Sequence, residues 1–397
     1  MSTDHDKAIV VLDGARTAIG TFGGSLRDTP AYMLGAAAIR EALRRSGVPG
    51  EEVDEVVVGC VGQVGPEAFN ARRAALAAGL PVGTPAYNVN RLCGSGLQAL
   101  WNAACEIRAG GAAVVVAGGN ENMSMQPFLD YGARRGYRLG DHRLVDGTLS
   151  LVTDPWGDYP MGATAEAVAE RFKVSRHEQD ELALLSQQRA ERALDDGLFR
   201  SQVVPVSVRD GKRERTFEVD EHPRPGTTLE QLAALRPVFA ENGTVTAGNS
   251  SGINDAGAAV VLVSEAAARA HGLKPKARLA AFSKAALEPE IMGYAPVHAV
   301  ERALAAADVA LSDIGVIELN EAFAAQAVAV IRDTKMDLER VNPNGGAIAL
   351  GHPIGATGTI LVLKAVYEML RRQVEWGLVT MCIGGGQAVA AVFQAVA

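Results

Sequence analysis

Two cysteines and a histidine, each beside glycines, are the residues of this chain whose types and spacing could do chemistry. Cys93 is followed by Gly-Ser-Gly and a helical apolar pattern, whereas Cys382 ends an apolar run and precedes three glycines. His352 lies between them in the chain, in a Gly-His-Pro segment. A thiol before a helix, a second thiol, an imidazole and glycine turns are the groups that acyl transfer through a thioester requires. The pattern therefore predicts an acyl-transfer site.

The predicted helix after Cys93 bears on the reactivity of that thiol. Unpaired N–H groups and the positive dipole end at a helix N-terminus stabilise a thiolate, and glycines let a substrate approach the backbone. An isolated cysteine is more often a small apolar side chain of the core. The glycine turn favours the reactive alternative, and we expect a thiolate at Cys93.

Two further positions are candidates for binding the charge that develops in such a reaction. The glycines after Cys382 would expose main-chain N–H groups, which suits an oxyanion site at Gly384 or simply a tight turn. Asn320 could hold a water or a carbonyl oxygen, or could act as a helix N-cap. His352 taken alone would be interpreted as a hydrogen-bonded loop histidine.

Size and composition limit the classes of protein that fit. The chain has 397 residues, of which 48% are hydrophobic, so two or three globular domains are expected. The formal net charge of −8 argues against a nucleic-acid partner. The four cysteines lack zinc or disulfide-scaffold spacing, which favours a reducing compartment and a cytoplasmic location. We expect no signal peptide and no membrane span, because no apolar run approaches ~20 residues.

Short strand-like runs alternate with alanine-rich helical runs, which is typical of layered α/β proteins. Strands are predicted at residues 8–12, 55–58 and 112–117, and a helix is predicted over Ala31–Ser46, closed by Gly47. A capping box at Ser175 and Glu178 predicts a long helix that continues to residue 196. Residues 210–213 are typical of a hairpin turn.

The sequence also contains an internal duplication. Residues 41–59 align without a gap on residues 302–320, and the same offset aligns 93–99 with 354–360. Two related halves would meet on a pseudo-two-fold axis, so that loops from equivalent strand ends converge on one site. We expect an N-terminal half at 1–124, completed by 249–275, a loop domain at 125–248 covering the site, and a C-terminal half at 276–397.

Seven segments together resemble the thiolase family, and the matches run over almost the whole chain. They are RTAIGTFGGSL (16–26), NRLCGSGLQA (90–99), LRPVF (235–239), GTVTAGNSSGIND (243–255), NEAFAAQ (320–326), NPNGGAIALGHPIGATG (342–358) and CIGGGQ (382–387). The resemblance implies an α/β thiolase fold, with two duplicated βαβαβαββ halves in a layered αβαβα arrangement and an inserted loop domain.

The resemblance also implies an activity and a role for each site residue. Cys93 is the nucleophile that becomes acylated, and His352 activates it and forms one oxyanion hole with a water held by Asn320. Cys382 moves protons to and from the acetyl α-carbon and the incoming CoA thiol. The N–H groups of Cys93 and Gly384 form the second oxyanion hole. The enzyme would cleave 3-ketoacyl-CoA with CoA, or condense two acyl-CoA molecules, without a metal or redox cofactor.

Coenzyme A is thus expected as a substrate rather than as a resident cofactor. By the same resemblance, two polar residues would contact its nucleotide and pantetheine parts, and four apolar ones would line the pantetheine tunnel: Arg224 and Ser251, then Phe239, Met161, Ala247 and Phe323. An arginine-rich stretch, residues 134–143, resembles the family's oligomerisation loop, although a solvated charge run is the usual alternative. A homo-oligomer is expected, as a tetramer rather than a dimer.

Two departures from the family pattern concern substrate choice. Enzymes specific for acetoacetyl-CoA often carry histidine where this chain has Pro160, and the usual AESMSRAP is here NENMSMQP (120–127). The length of the acyl chain and the physiological direction therefore stay open. Two other functions are alternatives: a decarboxylating condensing enzyme, which Cys382 argues against, and a silent CoA- or lipid-binding module, which the intact set of Cys93, His352 and Cys382 argues against.

Overall fold

The structure is a computed structural model that describes residues 8–211 and 213–396. The expectation about a signal peptide concerns residues that lie mostly outside this range. The predicted hairpin turn includes Lys212, which also lies outside it. Within the described ranges, no helix is long and apolar enough to cross a membrane.

Strands and helices alternate along the chain as predicted. The strands are β1 (Ile9–Arg16), β2 (Gly20–Thr21), β3 (Glu55–Gly59), β4 (Ala86–Val89), β5 (Val114–Asn122), β6 (Phe128–Leu129), β7 (Val145–Asp146), β8 (Thr153–Asp154), β9 (Tyr159–Pro160), β10 (Val206–Asp210), β11 (Arg213–Phe217), β12 (Asn254–Ser264), β13 (Ala277–Ala286), β14 (Ile314–Leu319), β15 (Trp376–Ile383) and β16 (Gln387–Ala395). The helices are α1 (Ala31–Ser46), α2 (Asn70–Ala78), α3 (Ser95–Ala109), α4 (Gly147–Leu151), α5 (Met161–Arg171), α6 (Arg176–Asp195), α7 (Leu229–Ala233), α8 (Glu265–Ala270), α9 (Pro296–Ala307), α10 (Ala324–Thr334), α11 (Ala347–Leu350) and α12 (Ile354–Arg372).

The strand order repeats between the two parts of the chain. The N-terminal strands pair in the order β1-β12-β5-β3-β4, and the C-terminal strands pair in the order β13-β16-β15-β14. In both sets the first two pairings are antiparallel and the third is parallel. The repeat confirms the duplication that the sequence predicts. The two sets join where β1 pairs with β13, from Ile9 opposite Leu279 to Val11 opposite Ala277.

Helices cover both sets of strands and also lie between them, which gives the five predicted layers. Helix α1 packs on β12 and β1, and α9 packs on β13 and β16, on the outer faces. Helices α3 and α12 lie against each other and contact strands of both sets. Their backbones approach closely because Gly358 has no side chain; a Cβ there would lie 2.3 Å from the Leu97 nitrogen. The residues just before these two helices therefore lie close together.

The local sequence correctly predicts several helices and strands. Helix α1 has the predicted bounds and ends at Gly47, whose φ of 74° is left-handed. The capping box opens α6 at Arg176. Strand β5 differs, since it continues five residues beyond the predicted end, to Asn122. Its last residues, Asn120 and Glu121, are polar and fully buried, so composition alone did not indicate a strand.

The segment 125–248 contains most of the short strands, the longer helices α5 and α6, and the short helices α4 and α7. A buried ion pair fastens it to the first strand, with Arg16 Nη1 and Nη2 at 2.7 and 2.8 Å from the carboxylate of Asp220. Because both partners are fully desolvated and bidentate, the pair fixes the chain geometry just before Arg224. The boundaries at 124 and 248 stay predictions.

Candidate active site

A single cavity of roughly 660 Å³ brings together the residues that the sequence singled out. It lies where β14 and β15 end, beside the first turns of α3 and α12, as ligands commonly do at the carboxyl ends of parallel strands. Asn320 is the one predicted site residue that does not line the wall. The others do: Cys93, His352, Cys382, Gly384, Arg224, Ser251, Phe239, Met161, Ala247 and Phe323.

A strained turn presents Cys93 to the cavity. The preceding residue, Leu92, has a φ of 47°, which is uncommon for a residue with a side chain. The Ser95 hydroxyl braces the turn, because it accepts from the Arg91 N–H at 2.9 Å and donates to the Leu92 carbonyl at 2.6 Å. Helix α3 begins only at Ser95, so the thiol lies just in front of its first turn.

Burial, more than the helix terminus, sets the protonation state of Cys93. Desolvation raises the pKa of this thiol to about 11, and the negative charge of Glu121 acts in the same direction. Main-chain N–H groups of Gly384 and of Cys93 itself act in the opposite direction. The expectation of a resting thiolate is therefore wrong. The same two N–H groups face the sulfur. They could also donate hydrogen bonds to an oxyanion that forms on the carbon that the sulfur attacks.

Cys382 lies near the end of β15 and is almost completely buried. Its thiol packs with Met292, Ala322 and Phe323. Burial raises the pKa of Cys382 far above its usual range, and the nearby Cys93 sulfur raises it further. The two thiols therefore interact across one pocket, and both are protonated at neutral pH.

Hydrogen bonds fix the tautomer of His352. Its main-chain N–H donates to Asn254 Oδ1 at 2.9 Å, and its Nδ1 lies 2.7 Å from the Thr357 hydroxyl. That hydroxyl donates its only hydrogen to the Pro353 carbonyl at 2.9 Å. Thr357 must then accept from Nδ1–H, which leaves the Nε2 lone pair free to take a proton.

Asn320 supports this assignment from the other side of the ring. Its Nδ2 lies 3.5 Å from His352 Nε2 and donates towards that lone pair. Its Oδ1 is buried and has no hydrogen-bond partner among the described residues. Burial lowers the pKa of His352 to about 4, so the ring is neutral at physiological pH. A neutral base beside a protonated thiol suits general-base activation of a nucleophile.

The residues predicted to bind CoA line the cavity from beside Cys382, where Met161 and Phe323 pack, to its exposed rim. Arg224 is exposed there, and its guanidinium makes no ion pair within the described part of the chain. Phe239 and Phe323 meet edge to face, with ring centroids 6.1 Å apart. An apolar channel that ends in a free cation suits a ligand with a flexible arm and a phosphorylated end.

A second, apolar extension of the cavity was missed from the sequence. Met123 and Ile354 pack beside Cys93, and Leu151 and Val152 continue the wall. Leu149 also lines the cavity while it is 54% exposed, so this extension opens to solvent. One feature of the sequence did indicate that this wall differs from the family pattern: the altered NENMSMQP segment, which includes Met123.

His222 also lines the cavity and was not singled out from the sequence. Its Nδ1 is buried without a partner in the described ranges. Burial and the nearby Arg224 lower the pKa of His222 to about 4. His222, two positions before Arg224, therefore presents a neutral imidazole with an unpaired Nδ1 to the cavity. The sequence alone did not indicate this position, because it depends on the folded chain.

Comparison with known families gives two matches that together cover nearly the whole chain. The family model described as "Thiolase, N-terminal domain" matches residues 9–266, and "Thiolase, C-terminal domain" matches residues 273–395. The chain is 50% identical over 390 residues to "Beta-ketothiolase BktB" of Cupriavidus necator, covering 98% of this chain and 99% of that protein. It is 50% identical to "Acetyl-CoA acetyltransferase" of Pseudomonas aeruginosa, with 96% and 98% covered.

Solved structures give the same picture. The Bacillus anthracis acetyl-CoA acetyltransferase superposes with a TM-score of 0.97 at 42% identity, covering 99% of this chain and 100% of that one. Human mitochondrial 3-ketoacyl-CoA thiolase in complex with CoA superposes with a TM-score of 0.95 at 42% identity, covering 98% of each chain.

Proposed function

The chain belongs to the thiolase family and is an acyltransferase that acts on CoA thioesters, and we propose that Cys93 carries the acyl group in its reaction. The observation that carries this proposal is the shared cavity of Cys93, His352 and Cys382, with the Gly384 N–H directed at the Cys93 sulfur. Cleavage of a 3-ketoacyl-CoA by CoA, and the reverse condensation, are one reaction run in two directions.

In the cleavage direction, the Cys93 sulfur attacks the 3-keto carbon while its proton passes to His352 Nε2. The resulting oxyanion, on the carbon bonded to the Cys93 sulfur, is stabilised by the N–H groups of Cys93 and Gly384 that face that sulfur. The C2–C3 bond then breaks, which leaves the acyl group on sulfur and an acetyl-CoA enolate. Cys382 donates a proton to the α-carbon. Protonated His352 and a water that the free Asn320 Oδ1 helps to hold stabilise the thioester oxygen of the enolate.

The acyl group then leaves Cys93 for a second CoA. Cys382, deprotonated by the previous step, takes the proton of the incoming CoA thiol, whose sulfur attacks the acyl carbonyl. Cys93 leaves as a thiolate and regains its proton from protonated His352, so the cycle returns both cysteines to their protonated forms, in agreement with the raised pKa of each. CoA enters as a substrate, with its pantetheine arm along Phe239, Met161, Ala247 and Phe323, and with Arg224 and Ser251 as polar contacts.

A direct test follows acetoacetyl-CoA consumption by the enolate absorbance, with and without CoA. We expect consumption that requires CoA and yields two acetyl-CoA for each acetoacetyl-CoA. Malonyl thioesters serve as the comparison substrate, since a decarboxylating condensing enzyme would use them. Turnover of malonyl thioesters without CoA-dependent thiolysis would contradict the proposal.

We further propose that the apolar extension accepts acyl chains longer than acetoacetyl. Each methylene of the acyl chain that is buried there contributes about 0.8 kcal/mol to the binding free energy. The opening at Leu149 leaves room for a longer acyl chain. Across 3-ketoacyl-CoA substrates of four to about eight carbons, kcat/KM should therefore not fall, and each methylene that becomes fully buried should raise it by up to about fourfold.

The variant Val152→Phe narrows the same extension and tests its assignment. We expect it to lower kcat/KM for an eight-carbon substrate by about tenfold or more and to change acetoacetyl-CoA cleavage little. Acetoacetyl-CoA is thus the internal control for both measurements. A steep fall beyond four carbons in the parent enzyme, or equal losses on both substrates in the variant, would show that the chain does not lie there.

The tautomer of His352 gives another prediction. Replacing Thr357 with valine removes the acceptor of the Nδ1 hydrogen and leaves a buried donor unpaired. We expect kcat for thiolysis to fall about tenfold, because the Nε2 lone pair is no longer favoured. Thr359→Val is the matched control, since that buried hydroxyl has no partner among the described residues. Equal kcat in the two variants would refute the role of Thr357.

We also propose that the enzyme is a cytoplasmic homo-oligomer, as a tetramer rather than a dimer. The arginine-rich stretch 134–143 is exposed, and so are apolar side chains around it, among them Phe128, Tyr131 and Leu139. Such apolar surface is typical of contacts between subunits. Light scattering coupled to gel filtration measures the assembly.

A further inference from the structure

Glu121 is a fully buried carboxylate that the mechanism above does not use. It lies near the end of β5 and does not line the cavity. Three main-chain N–H groups donate to it, those of Val61, Gly62 and Gly355, each at 3.0 Å. The first two follow β3 in the N-terminal half. The third belongs to the first turn of α12, just after His352.

One side chain therefore ties together two segments that are far apart in the sequence. Space around the carboxylate is tight, because a Cβ on Gly355 would lie 2.7 Å from Glu121 Oε2. No lysine or arginine makes an ion pair with this carboxylate in the described part of the chain. The three N–H groups alone stabilise its charge, so the positions of those main-chain segments depend on it.

The groups that surround Glu121 are acidic or neutral. Asp255 is adjacent on β12, where Ala256 pairs with Glu121, and the Cys60 and Cys93 thiols lie within electrostatic reach. Burial raises the pKa of Glu121 to about 7, and Asp255 adds to that shift. Above this pH the carboxylate is ionised, and its charge opposes the formation of a second negative charge on the nearby Cys93 sulfur.

We propose that Glu121 is a positioning residue for the acyl-transfer site: its carboxylate holds the His352 loop against the N-terminal half, and its charge adds to burial in opposing a negative charge on the Cys93 sulfur. The first part rests on the proposed role of His352, and the second part does not. Aspartate keeps the charge but is one methylene too short for all three donors, whereas glutamine lacks the charge and has one acceptor oxygen in place of two. Both variants therefore disturb the loop, and only glutamine removes the charge.

The experiment compares Glu121→Gln and Glu121→Asp in two assays. The first is steady-state thiolysis of acetoacetyl-CoA. The second is alkylation of Cys93 by iodoacetamide as a function of pH, followed by mass spectrometry, which needs no CoA substrate. The matched control is Asp54→Asn, since the Asp54 carboxylate also accepts two main-chain N–H groups, of Ala113 and Val114, at the far end of β5.

Both Glu121 variants should lose about tenfold in kcat with little change in KM for CoA, because the His352 loop shifts. At pH 8 to 9, where alkylation tracks the thiolate fraction, Glu121→Gln should react about threefold faster than the parent, and Glu121→Asp should match the parent. The control should match the parent in both assays. Thermal melts identify a variant that fails to fold, and the other variant then carries the test.

Three outcomes would overturn the proposal. If both variants keep kcat within twofold, the carboxylate does not hold the loop. If the two alkylation profiles shift together, the charge has no separate effect. If Asp54→Asn loses as much activity as the Glu121 variants, the effect is general destabilisation. A parent enzyme without thiolysis would instead contradict the proposed function, and the alkylation assay would still test the effect of the charge on Cys93.

Discussion

Replacing Cys93 with alanine is expected to lower kcat/KM for acetoacetyl-CoA thiolysis by about 10⁴-fold or more. Without the sulfur no acyl-enzyme forms, and cleavage would require CoA to attack the 3-keto carbon directly. Because the pKa of Cys93 is raised, this thiol depends on the neutral imidazole of His352 to remove its proton. We therefore expect the loss of activity to be specific to Cys93. Mass spectrometry after incubation with acetyl-CoA should detect an acetyl adduct in the parent enzyme and none in the variant.

Cys105→Ala is the matched control for this experiment. Cys105 lies on the helix that follows Cys93, but it is exposed and does not line the cavity. We expect parental activity and a normal acetyl adduct. An adduct that persists in Cys93→Ala, or thiolysis that survives in it, would require a different nucleophile.

The elements of the fold could be predicted where local sequence carries the signal. Helix α1 is apolar on one face and ends at a glycine, so its bounds follow from periodicity and C-cap chemistry. The duplication was visible because both halves repeat helix, loop and strand with the same spacing. The end of β5 could not be predicted, because Glu121 and its neighbours are buried by contacts with α12, which lies far away in the chain.

The same distinction between local and long-range signals applies to the residues of the site. Cys93, His352 and Cys382 were found because each lies in a motif of its own, with glycines at the positions a turn requires. Thr357, Asn254 and the apolar extension were not found, since each acts through a contact that only the assembled halves create. The resting state of the thiol was predicted wrongly for a related reason: helix position is a local property, whereas desolvation depends on everything that packs around the sulfur.

The charge states of the site now constrain the order of events. Both cysteines and the imidazole begin uncharged, so no ion pair exists before the substrate binds. Charge appears only as bonds change, next to main-chain N–H groups that are already oriented by the turns at Leu92 and Gly385. Such a site stabilises the charged transition state more than it stabilises the uncharged state before reaction, which is the condition for rate acceleration.

Replacing Cys382 with alanine should separate the two halves of the reaction. The carbanion produced by C2–C3 cleavage needs a proton far more than a departing CoA thiolate does, so loss of Cys382 should affect the two steps unequally. We expect overall thiolysis to fall about 10³-fold, while acetyl-CoA still acetylates Cys93, although more slowly. Deuterium incorporation into the acetyl methyl group of acetyl-CoA in D₂O measures the proton transfer directly, and it should be lost.

Cys60→Ala provides the comparison, since Cys60 is a buried thiol whose side chain does not line the cavity. This variant should exchange deuterium at the parental rate, which would show that removing a buried thiol is not itself sufficient. Exchange that continues in Cys382→Ala would mean that another group reaches the α-carbon. His352 and His222 are the imidazoles that line the cavity. The His352 lone pair faces Asn320 Nδ2, and His222 lies near Arg224, so we expect neither to substitute.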